Sequence, residues 1–381
     1  MRSQGHSVGV FGSLQSWPPR DPGAGGFYVP DTFSPTPACI PSWIEPIQAL
    51  NLGLVRENGR VMSESLGRRV LRPSLFLSLL RSGVRPRTLA RAAAQLVRER
   101  FDPAAPQRRV SFQALLFWDI FRRLYDPVRP PAFTTFFTNH IASVEHRYWN
   151  HVFPEDFEQE KRPRNREHLA TMDFAMQVLD EILAAALAWR KQNPKILLLV
   201  ANSMGQGARV TRKHHGYELM FEDVQKLFRA LGIPEGVKQN LAMAPQICFD
   251  LGEHIEAERF IERLGSLTCR SGRPILLCDR RNQTITVTVA TPPAAEIEGD
   301  RVLVGGKETA LADIGMTRFT IEAGTAYHVP EGEIFVVGLE NGRLPAQMPV
   351  PAHDVKRLIL EWSGLPSSRA GSGEKIPAAL A

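Results

Sequence analysis

The sequence predicts an α/β protein: a mainly parallel central sheet flanked by helices, with a β-rich insertion. Three observations predict it. Residues 196–206 read Ile-Leu-Leu-Leu-Val-Ala-Asn-Ser-Met-Gly-Gln, a run without polar alternation, as in an inner parallel strand buried on both faces. Small polar residues and Gly205 follow, where an open α/β sheet binds ligands beyond its strands' carboxyl ends. A helical pattern precedes it over His168–Gln192, with Leu169, Met172, Met176, Leu179, Ile182 and Leu183 on one face and Asn193-Pro194 closing it. Third, short β-type runs alternate with turns after Gly265.

In chain order, Val8–Phe11 is a short strand, followed by Pro- and Gly-rich connecting structure to about Asn51. Val61 to Phe101 carries two helical segments, the second opening at Pro86, where a missing N–H costs nothing. A further helix runs to Tyr125 with Ser111 as its expected N-cap. Ala132–Thr138 is β-branched and aromatic, hence a strand, and leaves Asn139-His140 at its carboxyl end. Pro274–Cys278, Thr284–Ala290, Glu296–Val304 and Arg318–Ile321 form a meander. Glu333–Gly338 returns to a buried strand, and Asp354–Trp362 is a closing helix stopped by Gly364. The expected division is therefore a core over 1–264, an insertion over 265–324, a return to the core over 325–366 and a disordered tail over 367–381.

With 381 residues, 43% hydrophobic and 23% charged, the composition is that of a folded globular chain. Its net charge of +6 is carried largely by Arg-rich helices. It lacks the dense basic stripe with interleaved aromatics that a nucleic-acid footprint needs, although it favours an anionic substrate. No apolar run is long enough to span a bilayer, and no apolar stretch follows the first basic residue as in a secretory signal. The four cysteines lack zinc-ribbon or CxxC spacing, so the expectation is a reduced, cytoplasmic protein without a membrane partner.

Histidines at strand ends are the candidate chemistry. His146 follows the Ala132–Thr138 strand by two helical turns; it reads either as a metal ligand or as a packed imidazole near Trp149. His328, in Thr325-Ala326-Tyr327-His328-Val329-Pro330-Glu331-Gly332, reads as a ligand or as an incidental turn residue. His214-His215 reads as part of a solvated basic loop. No GxGxxG after a strand, P-loop, HExxH or GxSxG occurs.

Phe136–Trp149, Leu197–Gly205, Thr325–Gly338 and Asp354–Pro366 together resemble, in order, motifs of the alkaline phosphatase superfamily. The similar branch is that of type I phosphodiesterases and nucleotide pyrophosphatases, and Val8–Pro19 is similar to the segment following its nucleophile region. The resemblance implies a phosphoric or sulfuric ester hydrolase lineage, a phosphate- or sulfate-ester substrate and divalent metal, Zn or Mn. His146 and His328 match the family's histidine ligands. Asn139 and His140 are substitute ligands on the same rim, with Asn202 and Ser203 as substrate-binding residues. The chain departs from the family in three places. Ala142 stands where an Asp ligand is expected, and Ser203-Met204 stands where Asp-His is expected. The family's first metal-binding Asp and its Ser or Thr nucleophile lie upstream of the segment that Val8 resembles. The resemblance therefore implies an altered metal site without a nucleophile segment. The alternative is a non-catalytic binding or partner protein on the same scaffold.

Overall fold

The computed structural model describes residues 1–57, 73–102, 105–157, 165–209, 217–240, 246–320, 325–339 and 349–365. Its architecture is mixed α/β. Three short parallel strands open it: β1 (Val8–Phe11), β2 (Phe27–Val29) and β3 (Phe133–Phe136), in the order β2-β1-β3. The second strand lies in the stretch read as connecting structure. Backbones approach so closely there that a Cβ on Gly26 would lie 2.5 Å from the Val8 carbonyl oxygen, which only glycine tolerates.

Aromatic rings lock this sheet to two helices. Phe11 meets Phe121 edge-on at 5.9 Å, and Trp118 meets Phe136 at 5.0 Å and Trp189 at 5.1 Å. The rings come from β1, β3 and the helices Arg109–Leu124 and Arg166–Gln192, so burial joins four segments distant in sequence. Helices Pro73–Arg81 and Pro86–Arg98 pack nearby, through Leu79 and Leu89. Ser111 is not an N-cap: a 3-10 turn at Ala105–Arg108 runs into the Arg109–Leu124 helix, and Ser111 lies buried inside it. The Arg166–Gln192 helix begins at Asn165, whose side chain accepts from the backbone N–H groups of Glu167 and His168. Its buried face carries His168, Thr171, Met172, Ala175, Val178 and Ile182. Met176 points out at 47% exposure, so the apolar stripe is rotated from the one read in the sequence.

Two strands follow, β4 (Leu198–Ala201) and β5 (Gly205–Ala208). The strands at Val8, Phe133, Ile196 and Ile334 do not share one mainly parallel sheet. Instead β4 pairs antiparallel with Ile334–Val337 in a separate ribbon. The apolar run was read as buried on both faces, but continuous apolarity does not show whether both faces are covered. β4 touches the Arg166–Gln192 helix but has no fully buried residue, and Phe335 of the partner strand is 59% exposed.

A second apolar core spans Tyr217 to Met316. Its strands are β6 (Tyr217–Phe221), β7 (Lys238–Asn240), β8 (Gln246–Asp250), β9 (Leu267–Thr268), β10 (Leu276–Arg281), β11 (Thr284–Val289), β12 (Arg301–Val304), β13 (Lys307–Ala310) and β14 (Met316–Thr320). All their pairings are antiparallel: β10-β11-β8-β7, β13-β12-β9 and β14-β6. The meander read after Gly265 is part of this core, together with residues from Tyr217 onward and the helices Val224–Ala230 and Ala257–Gly265. Of the strand read over Glu296–Val304, only Arg301–Val304 is strand; Ala294–Asp300 is helical turn interrupted by a kink at Ile297–Gly299. The chain then returns as β15 (Ala326–Val329), antiparallel to β5, and β16 (Ile334–Val337), antiparallel to β4. A short helix, Val355–Trp362, follows, and Gly364 adopts φ +69° beyond it. The tail over 367–381, most of Val61–Pro73 and the His214-His215 loop lie outside the described residues.

Candidate functional site

The site is built where the helix His140–Val152 crosses the β5–β15 ribbon. The helix leaves β3 through Asn139, whose backbone carbonyl accepts from Ser143 N–H at 3.0 Å. His140, Val144, Tyr148 and His151 are its buried residues, at the spacing of one helical face. His146 is six residues beyond His140, about 240° around the axis at 100° per residue, so these two imidazoles point to different surroundings.

His146 reaches the ribbon. The backbone of Thr325 donates to the His146 carbonyl at 2.6 Å, and Asn150 N–H donates to the Thr325 hydroxyl at 3.3 Å. With the start of β15 held this way, His146 Nδ1 lies 2.9 Å from the Ala326 carbonyl oxygen. A carbonyl only accepts, so that nitrogen carries the proton and Nε2 of the neutral ring carries a lone pair. His328, paired across the ribbon with Gln206, places its Nε2 3.3 Å from His146 Nε2, with the ring centroids 4.6 Å apart and the planes at 82°. The Gln206 amide nitrogen lies 2.9 Å from His328 Nδ1. In the neutral state the donors run from Gln206 to His328, to His146 and then to the Ala326 carbonyl.

The pair is open to solvent on the His328 side and half-buried at His146. Burial pushes the proton affinity of His146 below that of an ordinary imidazole. The Ala326 hydrogen bond opposes this, and the positive fields of His328, Arg147 and Arg209 add to the lowering. Two guanidinium groups, those of Arg147 and Arg209, therefore lie within electrostatic reach of His146.

His140 is turned away from the pair. It is 1% exposed, with Nε2 3.1 Å from the Ala175 carbonyl and Nδ1 2.8 Å from the Thr138 hydroxyl. Both ring nitrogens are taken by the protein, leaving none for a metal. Asn139 is exposed at the helix start, and its side chain makes no capping bond. Asn202 closes the turn between ribbons: its backbone N–H donates to the Glu333 carbonyl at 3.0 Å, and its side-chain oxygen accepts from Glu333 N–H at 2.5 Å. Ser203 is exposed beside it, ahead of Gly205, which pairs with the residue after His328. Gln206 was missed by sequence reasoning. Its only signal is alternation in a Gly-rich strand, which says nothing of a histidine 122 residues away.

The fit of this arrangement to divalent metal follows from its donors. Two imidazole nitrogens on one tetrahedral ion, each at about 2.0–2.1 Å, would stand roughly 3.3–3.4 Å apart, and the pair has that spacing. The number of ligands does not match: among the described residues no group of three or more His, Cys, Asp or Glu could hold an ion. The pair by itself therefore does not complete a divalent-metal site. Among the described residues, no helix is long and apolar enough to cross a membrane. No family model, curated protein or solved structure matches this chain.

Proposed function

We propose that this chain binds the oxyanion of a phosphate or sulfate ester at the His146–His328 pair. In this reading it is a binding member of a metal-dependent ester hydrolase lineage, with an altered metal site. The observation that carries the reading is the meeting of two imidazoles 182 residues apart, Nε2 to Nε2 at 3.3 Å. Their surroundings support an anion: Arg147 and Arg209 lie close enough to depress proton affinity at His146, and the same field attracts negative charge. On binding, His328 Nε2–H turns from His146 Nε2, which it otherwise faces at 3.3 Å, to the oxyanion at the open side. A Zn or Mn ion at this pair would have two protein ligands, and the reading requires no step through it. Four free cysteines suit a reducing compartment, and we assign the protein to the cytoplasm.

The test is calorimetric binding of an aryl phosphate, a bis-aryl phosphate and an aryl sulfate, with turnover followed in zinc, manganese and magnesium. The expected result is saturable binding weakened at least about tenfold in His328→Ala, where a charge-assisted hydrogen bond is lost, with little or no turnover. Binding unchanged in both His146→Ala and His328→Ala overturns the reading. Rapid turnover abolished by chelation and by either substitution would establish a working metal centre in its place.

A further inference from the structure

A second histidine pair, His151 and His168, lies between the carboxyl end of the helix His140–Val152 and the amino end of the helix Arg166–Gln192. Both side chains are buried, at 9% and 8% exposure, with ring centroids 4.6 Å apart. The backbone N–H of Asn165 donates to His151 Nδ1 at 3.3 Å, and His151 Nε2 lies 2.8 Å from His168 Nδ1. A peptide N–H can only donate, so His151 Nδ1 holds a lone pair and its proton sits on Nε2. That proton is donated to His168 Nδ1, which is therefore also unprotonated. Each nitrogen in the line has one polarity, and both rings are neutral.

We propose that this pair is an acid-sensitive latch between the two helices, closed when both imidazoles are neutral and opened by proton uptake. A proton added at His151 Nδ1 would face the Asn165 N–H; one added at His168 Nδ1 would face His151 Nε2–H. Either leaves two donors opposed in a buried space, where unpaired polar groups are costly. Asn165 also caps the following 27-residue helix, accepting from Glu167 N–H at 2.9 Å and His168 N–H at 3.4 Å. Proton uptake therefore strains the residue that starts that helix.

The groups around the pair among the described residues are few. Tyr148, from the same helix as His151, stacks on His168 at 4.3 Å. Glu167 engages Arg98 at 2.8 Å and Arg108 at 3.4 Å, so its charge is shared with those guanidinium groups. Asp156, on the turn after the first helix, accepts from the Trp149 indole at 2.8 Å. Glu155 and Arg166 flank the pair in sequence and are exposed. The carboxyl end of the His151 helix favours a cation, whereas the line of hydrogen bonds places a donor opposite any added proton.

The test is amide hydrogen exchange in the whole chain. The readout is protection of the Asn165, Glu167 and His168 amides relative to Val178 and Ile182 in the same helix, a ratio that cancels global loss of stability. Between about pH 7.5 and pH 5, across the imidazole range, the ratio should fall, with about tenfold per pH unit as the ceiling for one linked proton. In His151→Asn/His168→Asn, whose amides supply acceptors without titrating, it should stay level. Nitrogen spectra of the wild-type imidazoles should place the His151 proton on Nε2 at the higher pH. A ratio that does not change with pH, an equal fall in the double variant, or a doubly protonated ring at about pH 7.5 overturns the proposal. If the double variant does not fold, the wild-type ratio and the nitrogen spectra decide it.

Discussion

Replacing His140 with Gln should remove a large acid dependence of stability. Burial pushes the His140 imidazole down from 6.5 to about 4, with the Ala175 hydrogen bond opposing, and the side chain is 1% exposed. In the unfolded chain the ring takes a proton below about pH 6.5; in the folded chain it stays neutral until about pH 4. Between those values the unfolded state binds more protons, so stability falls as pH drops through the window and levels off below it. At about 1.4 kcal/mol per pH unit the full effect is about 3 kcal/mol. The assay is urea unfolding at about pH 7.5 and 4.5, followed by fluorescence of Trp118 and Trp189, whose rings meet at 5.1 Å in the core. Wild type should lose about 2–3 kcal/mol more than His140→Gln over that interval, since the glutamine can still donate to the Ala175 carbonyl but cannot titrate. Equal losses in the two proteins would refute the assignment of His140 as a buried neutral imidazole, and with it the reason for removing it from the ligand set.

Other substitutions test other joints. Asn165→Ala removes the cap on Glu167 and His168 N–H and should cost roughly 1 kcal/mol in unfolding free energy. In Gly9→Ala the new Cβ would stand 2.6 Å from the Phe27 ring, which is itself 1% exposed; a loss of about 1–3 kcal/mol is expected by thermal unfolding. Burial holds the Cys39 thiol up at about 12 and the Cys278 thiol at about 11. Native protein alkylated near pH 8 should therefore leave both unmodified by peptide mass analysis, whereas urea-unfolded protein should be labelled at both.

Local chemistry was legible in the sequence where it alone decides structure. Val8–Phe11 and Ala132–Thr138 read as strands, and β1 and β3 lie side by side in parallel. Pro86 opens a helix, Asn193 ends one, and Gly364 lies just beyond the last. Pairing was less legible, because it depends on what covers each face. The apolar run at Ile196 has the same composition whether it is an inner strand or half of a two-stranded ribbon. The site divided along the same line. His146 and His328 were named from strand ends and do meet, whereas His140, adjacent in the same motif, turns inward because helical rotation separates it from His146. The His151–His168 pair carried no sequence signal, since its meeting depends on how two helices cross.

The central claim is that His146 and His328 form one oxyanion-binding unit. Its most direct test is to titrate isotope-labelled protein with inorganic sulfate, free of divalent metal, while following the side-chain nitrogen and carbon-bound proton resonances of every histidine. The account predicts saturable shifts at His146 and His328 with a common midpoint, no comparable shift at His140, and loss of the His146 response in His328→Ala. Unmoved His146 and His328 resonances, or a His146 response that persists in His328→Ala, would contradict it.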